Sequence, residues 1–245
     1  MNRFSVSVVV LTVLLIPGMA FAQAELDQRF LLASPNTIET DPALLEHMTT
    51  LAEGAYGAHC AGCHGADFTG GNGIPDLSDF DWLWGVTGSE STTIEPMFEI
   101  MQTILYGIRD RNCADEIKRY GACPDTRYSE MPAYQEVGLS DAEIDDLVEY
   151  VFMLSGQEYS ADAVARAAPQ SELCAECHGP EGYGYKPYGG PDLTDSVVLY
   201  GGTREEIRET LAKGRLGSCP PWVSTLDLVT IKALSVYLYR KSVGY

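Results

Sequence analysis

The sequence predicts a mostly α-helical fold divided into two tandem domains. Its 245 residues, 45% of them hydrophobic, suit a globular protein with two domains of about 100–150 residues. Landmarks of the first half recur in the second, which is typical of a duplicated unit. Each half also closes with an amphipathic helical pattern. We therefore expect domain 1 over residues 23–156 and domain 2 over residues 157–245, after a leader at residues 1–22.

The amino terminus has the pattern of a secretory signal peptide. Arg3 precedes the apolar run 4–16, and Ala20-Phe21-Ala22 offers a small-residue cleavage site. The run is short for a membrane span, which needs about 20 residues. We expect export to the periplasm and cleavage after Ala22. The alternative is an uncleaved membrane anchor, which would make the protein membrane-associated.

The negative charge is concentrated in domain 1. Residues 23–156 contain 24 acidic and 6 basic residues, whereas residues 157–245 contain 11 and 9. The net charges are therefore −18 and −2, within a total of −19. Such a field disfavours nucleic acid and would steer a basic redox partner toward domain 1. The alternative is that the acidic surface serves only solubility.

Two C-x-x-C-H motifs predict two covalently attached haems. They are Cys60-Ala61-Gly62-Cys63-His64 and Cys174-Ala175-Glu176-Cys177-His178. In this pattern the two thiols bind one haem and the histidine becomes the proximal iron ligand. Paired C-x-x-C can also bind zinc, but each copy here ends in histidine and the copies lie in separate repeats. We therefore expect two class I cytochrome c-like domains, each wrapped around one haem c.

The residues after each motif also repeat. Pro75-Asp76-Leu77-Ser78-Asp79 corresponds to Pro191-Asp192-Leu193-Thr194-Asp195, and Trp82-Leu83-Trp84-Gly85 corresponds to Val198-Leu199-Tyr200-Gly201. Recurrence in the same order supports a duplicated domain.

Three helices are predicted from capping residues followed by apolar stripes. Asp41 with Pro42 begins the first helix, Ser140 with Glu143 forms a capping box for the second, and Asp227 caps the third. The second would close domain 1 and the third would close domain 2. The apolar stripes are Leu44, Leu45, Met48, Leu51 and Ala52; Ile144, Leu147, Val148, Val151 and Phe152; and Ile231, Leu234 and Leu238. His47 lies off the first stripe and is expected in solvent. His59, just before the first C-x-x-C-H motif, is expected in a loop or beside a haem propionate.

Met131 is the candidate distal ligand of the first haem. It precedes Pro132 in a loop shortly before the closing helix of domain 1, and proline stiffens such a loop. Paired with His64, it would raise the reduction potential. The other methionines of domain 1 lie on apolar helical patterns and are expected to pack: Met97, Met101 and Met153.

Cys219 is the candidate distal ligand of the second haem, because no methionine or histidine follows His178. Cys219 stands at the matching place, before Pro220, and a thiolate there would lower the potential of the second haem. The alternative is a free or intermolecularly paired thiol beside a five-coordinate or water-bound iron.

The remaining two cysteines, Cys113 and Cys123, bracket an insertion in domain 1. A disulfide between them would close a short surface loop and is plausible in an oxidising compartment. Cys219 is then the seventh, unpaired cysteine.

The sequence resembles the dihaem cytochrome c subunit of cbb-type haem-copper oxidases, known as CcoP or FixP. The resemblance extends from about Asp41 to the carboxyl terminus. It is carried by Cys60-Ala61-Gly62-Cys63-His64-Gly65, Asp81-Trp82-Leu83-Trp84-Gly85, Asp125-Thr126-Arg127-Tyr128-Ser129-Glu130-Met131-Pro132-Ala133, Cys174-Ala175-Glu176-Cys177-His178-Gly179, Leu199-Tyr200-Gly201-Gly202 and Gly214-Arg215.

The resemblance implies that the chain relays electrons from soluble cytochromes into the membrane oxidase core. A low-potential haem would make a poor last step into such an oxidase, so we expect a non-catalytic relay between a redox partner and another oxidoreductase or respiratory complex. It implies His64 and Met131 for one haem and His178 for the other. The family has a second Met-Pro where this sequence has Cys219-Pro220. The partners implied are other redox proteins.

Two other functions remain open. Haems with histidine and cysteine ligands also resemble those of thiosulfate dehydrogenases, where a labile thiolate makes room for substrate. Lys213 and Arg215 lie near Cys219 in the sequence and are compatible with an anionic sulfur substrate. A haem-based sensor is the third function, although no signalling domain follows.

Overall fold

The structure is a computed structural model that describes residues 20–84, 94–110, 126–196 and 198–244. The regular elements of these residues are helices, and β-pairing among them is limited to isolated bridges. The helices are α1 (20–32), α2 (Pro35–Thr40), α3 (Pro42–His59), α4 (Ala61–His64), α5 (Ile94–Tyr106), α6 (Tyr134–Val137), α7 (Asp141–Leu154), α8 (Ala161–His178), α9 (Arg204–Lys213) and α10 (Leu228–Ser242), with a 3₁₀ turn at Lys186–Tyr188. The predicted mostly α-helical fold is confirmed.

Most of the predicted leader lies outside the described residues. Residues 20–22, at its end, belong to α1. In the described part of the chain, no helix combines the length and the apolar character that a membrane crossing requires.

The three predicted helix starts are confirmed by their capping bonds. The carboxylate of Asp41 accepts the amide N–H of Ala43 at 3.0 Å, and that of Asp227 accepts the amide of Thr230 at 2.8 Å. Ser140 and Glu143 form the predicted reciprocal capping box at α7. These bonds satisfy amides that a helix amino terminus otherwise leaves unpaired.

A first core forms where α3, α5 and α10 pack together. Its buried side chains are apolar: Phe30, Ile38, Leu44, Met48, Ala52, Ala55, Tyr56, Met97, Ile100, Ile104, Leu105, Ile231, Ala233, Leu234, Val236, Tyr237 and Leu238. Helix α10, at the end of the chain, therefore packs against helices of the first half.

A second core forms where α7 packs against α8 and α9. Its buried side chains are Tyr134, Ile144, Leu147, Val148, Phe152, Ala167, Ile207, Leu211 and Ala212. Helix α7, predicted to close domain 1, therefore packs against helices of the second half.

Each core combines helices from both sides of the predicted boundary between residues 23–156 and 157–245. We name the elements around the first core (residues 20–110 and 219–244) the first unit, and the elements around the second core (residues 131–214) the second unit. The predicted apolar stripes of α7 and α10 do face the cores. However, α7 of the first repeat packs in the second unit, and α10 of the second repeat packs in the first unit. The physical reason is that both closing helices offer similar amphipathic stripes, so their periodicity does not reveal which helix pair each one covers.

His47 differs from its predicted position in solvent. It is buried, 7% exposed, and its Nε2 lies 2.9 Å from a carboxylate oxygen of Asp27. Phe30, which is fully buried, packs edge-on against the imidazole ring. The docking of α1 on α3, which the sequence pattern did not predict, covers this side chain.

Lys232 ties α1 to α10. Its ammonium group donates to three carbonyl oxygens at the end of α1, those of Phe30 (2.9 Å), Leu31 (2.9 Å) and Ala33 (2.7 Å). The last turn of a helix leaves carbonyls without amide partners further along the helix. Lys232 supplies donors there, although the Phe30 carbonyl also accepts the amide of Ala33 at 3.3 Å.

Replacing Lys232 with methionine is expected to lower the free energy of unfolding by about 1.5–3 kcal/mol, the contribution of hydrogen bonds to a charged group. Chemical denaturation of the purified protein measures the loss. Lys213→Met is the matched control, because Lys213 forms one exposed ion pair with Glu209 and such pairs contribute about 0.2–1 kcal/mol. Equal losses in the two variants would contradict the assignment.

Candidate haem sites

The two motif histidines are held in the same way. His64 ends α4 and His178 ends α8. The Nδ1 atoms lie 3.1 Å from the carbonyl oxygen of Pro75 and 2.8 Å from that of Pro191, respectively. A carbonyl can only accept, so each Nδ1 carries the proton and each Nε2 keeps its lone pair. This is the tautomer that a proximal iron ligand requires.

The repeated Pro-Asp-Leu-Ser/Thr-Asp segments position those carbonyls. The carboxylate of Asp76 accepts the amide and the hydroxyl of Ser78, at 2.7 and 2.6 Å. Asp192 accepts the same two groups from Thr194 at the same distances. Sequence reasoning used these segments only as landmarks; their recurrence was the signal that could have identified them as supports of the histidines.

In each motif the two cysteines lie one helical turn apart, Cys60 and Cys63 at α4 and Cys174 and Cys177 in α8, and this spacing fits attachment to one haem. Burial raises the pKa of Cys60 to about 11, with a smaller contribution from Cys63, and burial also raises the pKa of Cys174. Their thiols therefore stay neutral in the protein. Burial lowers the pKa of His178, which keeps its imidazole neutral, as iron ligation requires. The chemistry of both motifs suits a haem c.

Met131 lies in the second unit. Its amide N–H donates to the carbonyl oxygen of Arg215 at 3.2 Å, and its own carbonyl accepts from the amide of Arg215 at 3.0 Å. Its side chain packs against the second core. Tyr134, three residues later, lies beside Cys174 of the second motif.

Cys219 lies in the first unit. It exchanges two backbone hydrogen bonds with Ile108, at 2.9 and 3.0 Å. Burial raises the pKa of the Cys219 thiol to about 11, and the next causes are the neighbouring sulfur atoms of Cys60 and Cys63. The structure therefore brings Cys219 to the first motif.

These neighbours differ from the predicted pairing of distal and proximal residues. The sequence order suggested Met131 with His64 and Cys219 with His178. The structure instead brings Met131 to the motif of His178 and Cys219 to the motif of His64. The reason is that each candidate distal residue precedes a closing helix, and the closing helices are exchanged between the units.

Two short stretches carry the chain between the units, and we name them the forward segment (127–131) and the return segment (215–219). They run in opposite directions and pair at Met131 and Arg215. Arg127 begins the forward segment on the first unit and donates to the hydroxyl of Thr103 in α5 at 2.7 Å. Arg215 begins the return segment on the second unit and donates to the hydroxyl of Thr210 in α9 at 2.9 Å.

Glycine is required where each segment reaches the other unit. Gly107 follows α5 and has φ +71°, and Gly214 follows α9 and has φ +68°. A Cβ on Gly107 would lie 2.4 Å from the carbonyl oxygen of Cys219, and one on Gly214 would lie 2.4 Å from that of Met131. Backbone therefore packs on backbone at both distal residues.

Aromatic residues make a further reciprocal contact between the units. Tyr200 of the second unit packs against Gly73, and Trp84 of the first repeat packs against Gly189. The guanidinium of Arg215 lies 4.3 Å from the centre of the Tyr200 ring. The two haem-binding loops are therefore in direct contact.

Two other predictions concern cysteine and histidine. The predicted disulfide between Cys113 and Cys123 lies outside the described residues.

His59, expected near its motif, packs against Trp222 with ring centres 4.8 Å apart. Trp222 follows Cys219 by three residues, so this contact belongs to the same pocket as the first motif.

Comparison with known protein families identifies both repeats. The family model "Cytochrome c" matches residues 51–155, and the model "Cytochrome C oxidase, cbb3-type, subunit III" matches residues 162–238. The chain thus contains two cytochrome c domains in sequence, which implies two covalent haems c. This agrees with the two C-x-x-C-H motifs.

Curated relatives match along most of the chain. The CcoP subunit of the cbb3-type cytochrome c oxidase of Cereibacter sphaeroides is 36% identical over 226 residues, covering 91% of this chain and 71% of the relative. The FixP subunit of Bradyrhizobium sp. (strain ORS 278) is 38% identical over 215 residues, covering 86% and 67%. With two repeats, two motifs and this similarity, the chain belongs to the CcoP/FixP family of cbb3-type cytochrome c oxidase subunits.

Proposed function

We propose that this chain relays single electrons through two haems whose distal ligands are supplied crosswise. His64 and Cys219 would hold one iron, and His178 and Met131 would hold the other. The observation that carries the proposal is the reciprocal backbone pairing of Cys219 with Ile108 and of Met131 with Arg215. A bound haem supplies a reversible one-electron couple, and the residues around it set its potential.

The two ligand sets give the haems different potentials. A methionine thioether favours ferrous iron and raises the potential, whereas a thiolate favours ferric iron and lowers it. The haem attached at Cys60 and Cys63 is therefore the low-potential centre, and the haem attached at Cys174 and Cys177 is the high-potential centre. This reverses the order expected from the sequence alone.

The contacts of the basic residues favour a relay over a sulfur-oxidising enzyme. Lys213 pairs with Glu209 at 3.0 Å, and Arg215 donates to Thr210 and lies over Tyr200. Both cations near Cys219 in the sequence thus have partners within the second unit. An anionic sulfur compound would have to displace those contacts.

The partners of the relay are other redox proteins, and the leader pattern places the exchange in the periplasm. The relatives' names indicate that the acceptor is a cbb3-type oxidase complex. A basic donor remains the favoured partner of the acidic first half. Carboxylates of α7 contribute less to that attraction, because arginines of α8 and α9 pair with them. The pairs are Arg166–Asp146, Arg204–Glu149, Arg208–Asp141 and Arg208–Asp145.

The test of this function is rapid-mixing reduction of the holoprotein by a small basic cytochrome c. Intact-mass spectrometry should show a mass increase equal to two haems. The rate of reduction should fall as the salt concentration rises. The protein should show no steady turnover of thiosulfate or tetrathionate. Steady turnover of either sulfur compound would favour the enzyme. A mass that allows fewer than two haems would overturn both functions.

A further inference from the structure

One side chain, that of Arg109, donates hydrogen bonds to both the forward segment and the return segment. Arg109 lies just beyond α5. Its Nε donates to the carbonyl oxygen of Gly217, and its Nη1 donates to that of Ser129. Ser129 is the central residue of the forward segment, and Gly217 is the central residue of the return segment.

Each of these carbonyls lies two residues before a proposed distal ligand, Ser129 before Met131 and Gly217 before Cys219. An extended chain advances about 3.3 Å per residue. Each carbonyl is therefore only about 7 Å along the chain from the proposed ligand, and a shift of the carbonyl would shift the ligand's backbone. The Arg109 guanidinium thus restrains the backbone that leads to both proposed ligands.

The backbone of Arg109 is itself held in an unusual conformation. Its φ is +50°, a region that L-residues other than glycine rarely adopt and that costs about 1–3 kcal/mol. Its amide N–H donates to the carbonyl oxygen of Arg127 at 2.9 Å, which fixes it to the start of the forward segment. Strain of this kind persists only where the surrounding contacts stabilise it.

Arginine suits this position better than another donor. Its planar fork offers several N–H groups in fixed directions, so one side chain can bind two separate carbonyls. Lysine presents a single ammonium point, and glutamine offers one amide group without charge. Bonds from a charged donor are also about twice as strong as neutral ones.

We propose that Arg109 is a shared positioning residue that holds Met131 and Cys219 in place for the two haems at once. The inference rests on the proposed crosswise ligands. It predicts that the coordination of both haems weakens together when the guanidinium is lost, although Arg109 itself binds neither iron.

The test compares Arg109→Gln with the wild-type holoprotein. Two signatures are followed in the ferric state: the methionine-to-iron charge-transfer band and the thiolate-type low-spin resonance. Imidazole is then titrated as a competing distal ligand. We expect both signatures to decrease and the affinity for imidazole to rise by about tenfold at each haem, the effect of one lost charged hydrogen bond.

Arg166→Gln is the matched control, since Arg166 forms an exposed pair with Asp146 away from the crossing. It should leave both signatures and the imidazole titration unchanged. If Arg109→Gln does not accumulate, Arg109→Lys replaces it, and both signatures should weaken in the same direction.

Wild-type signatures in either Arg109 variant, or a change at only one haem, would overturn the shared role. Failure of the proposed function is distinguishable from these results, because it appears in the wild type. There, one of the two signatures or one of the two haems would be missing.

Discussion

Cys219→Met is expected to raise the potential of one haem by several hundred millivolts, within the span of about 0.8 V over which axial ligands tune haem potentials. A thioether in place of a thiolate destabilises ferric iron relative to ferrous iron. Because Cys219 lies beside Cys60, the affected haem should be the one attached to the first motif. A redox titration of the holoprotein should show the low-potential component move upward and the high-potential component stay in place.

Cys219→Ser separates the loss of the thiolate from the gain of a thioether. It should abolish the thiolate-type resonance without creating a second methionine charge-transfer band. To assign the haem, the titration is repeated in a chain with Cys174→Ser and Cys177→Ser, which keeps only the first haem. If the wild type lacks a low-potential component, or if Cys219→Met leaves it unchanged, Cys219 is a free thiol.

Gly107→Ala and Gly214→Ala are each expected to weaken the spectroscopic signature of one distal ligand. The ligand affected is not the one that follows the glycine in the chain order of its own half. Gly214→Ala should remove most of the methionine charge-transfer band, because the new Cβ meets the carbonyl of Met131 at 2.4 Å. Gly107→Ala should remove the thiolate resonance, because its Cβ meets the carbonyl of Cys219. Each substitution also places a side chain at positive φ, which adds about 1–3 kcal/mol of strain.

This pair tests the crossing without deleting a haem. In a protein whose halves fold separately, Gly107 would support Met131 and Gly214 would support Cys219, so the two outcomes would be interchanged. Gly57→Ala is the control, since a Cβ there has no atom within 4 Å and alanine favours a helix by about 1 kcal/mol over glycine. It should leave both signatures intact.

Local features were predictable because they depend on neighbours in sequence. Asp41, Ser140 and Asp227 cap the helices expected of them, because a side-chain oxygen reaches the free amides of the next turn whatever the rest of the chain does. The apolar positions of α7 and α10 are buried as their 3.6-residue period indicates, except Val151, which is half-buried. The covalent chemistry of the two C-x-x-C-H motifs is likewise local.

Features that depend on distant contacts were not predictable. The burial of His47 depends on α1, and the role of Lys232 depends on three carbonyls some 200 residues earlier in the chain. Arg109 carried no recognisable motif. Its role follows from two carbonyls on segments that meet only in the folded protein.

The sequence by itself determined that this chain is helical, duplicated and built for two haems, and it identified the side chains available to bind iron. Only the tertiary structure decided that Met131 lies with the second motif and Cys219 with the first. The physical reason is that α7 and α10 offer equivalent apolar stripes to equivalent helix pairs. Which pair each helix covers depends on contacts between residues distant in sequence, such as the close backbone packing at Gly107 and Gly214.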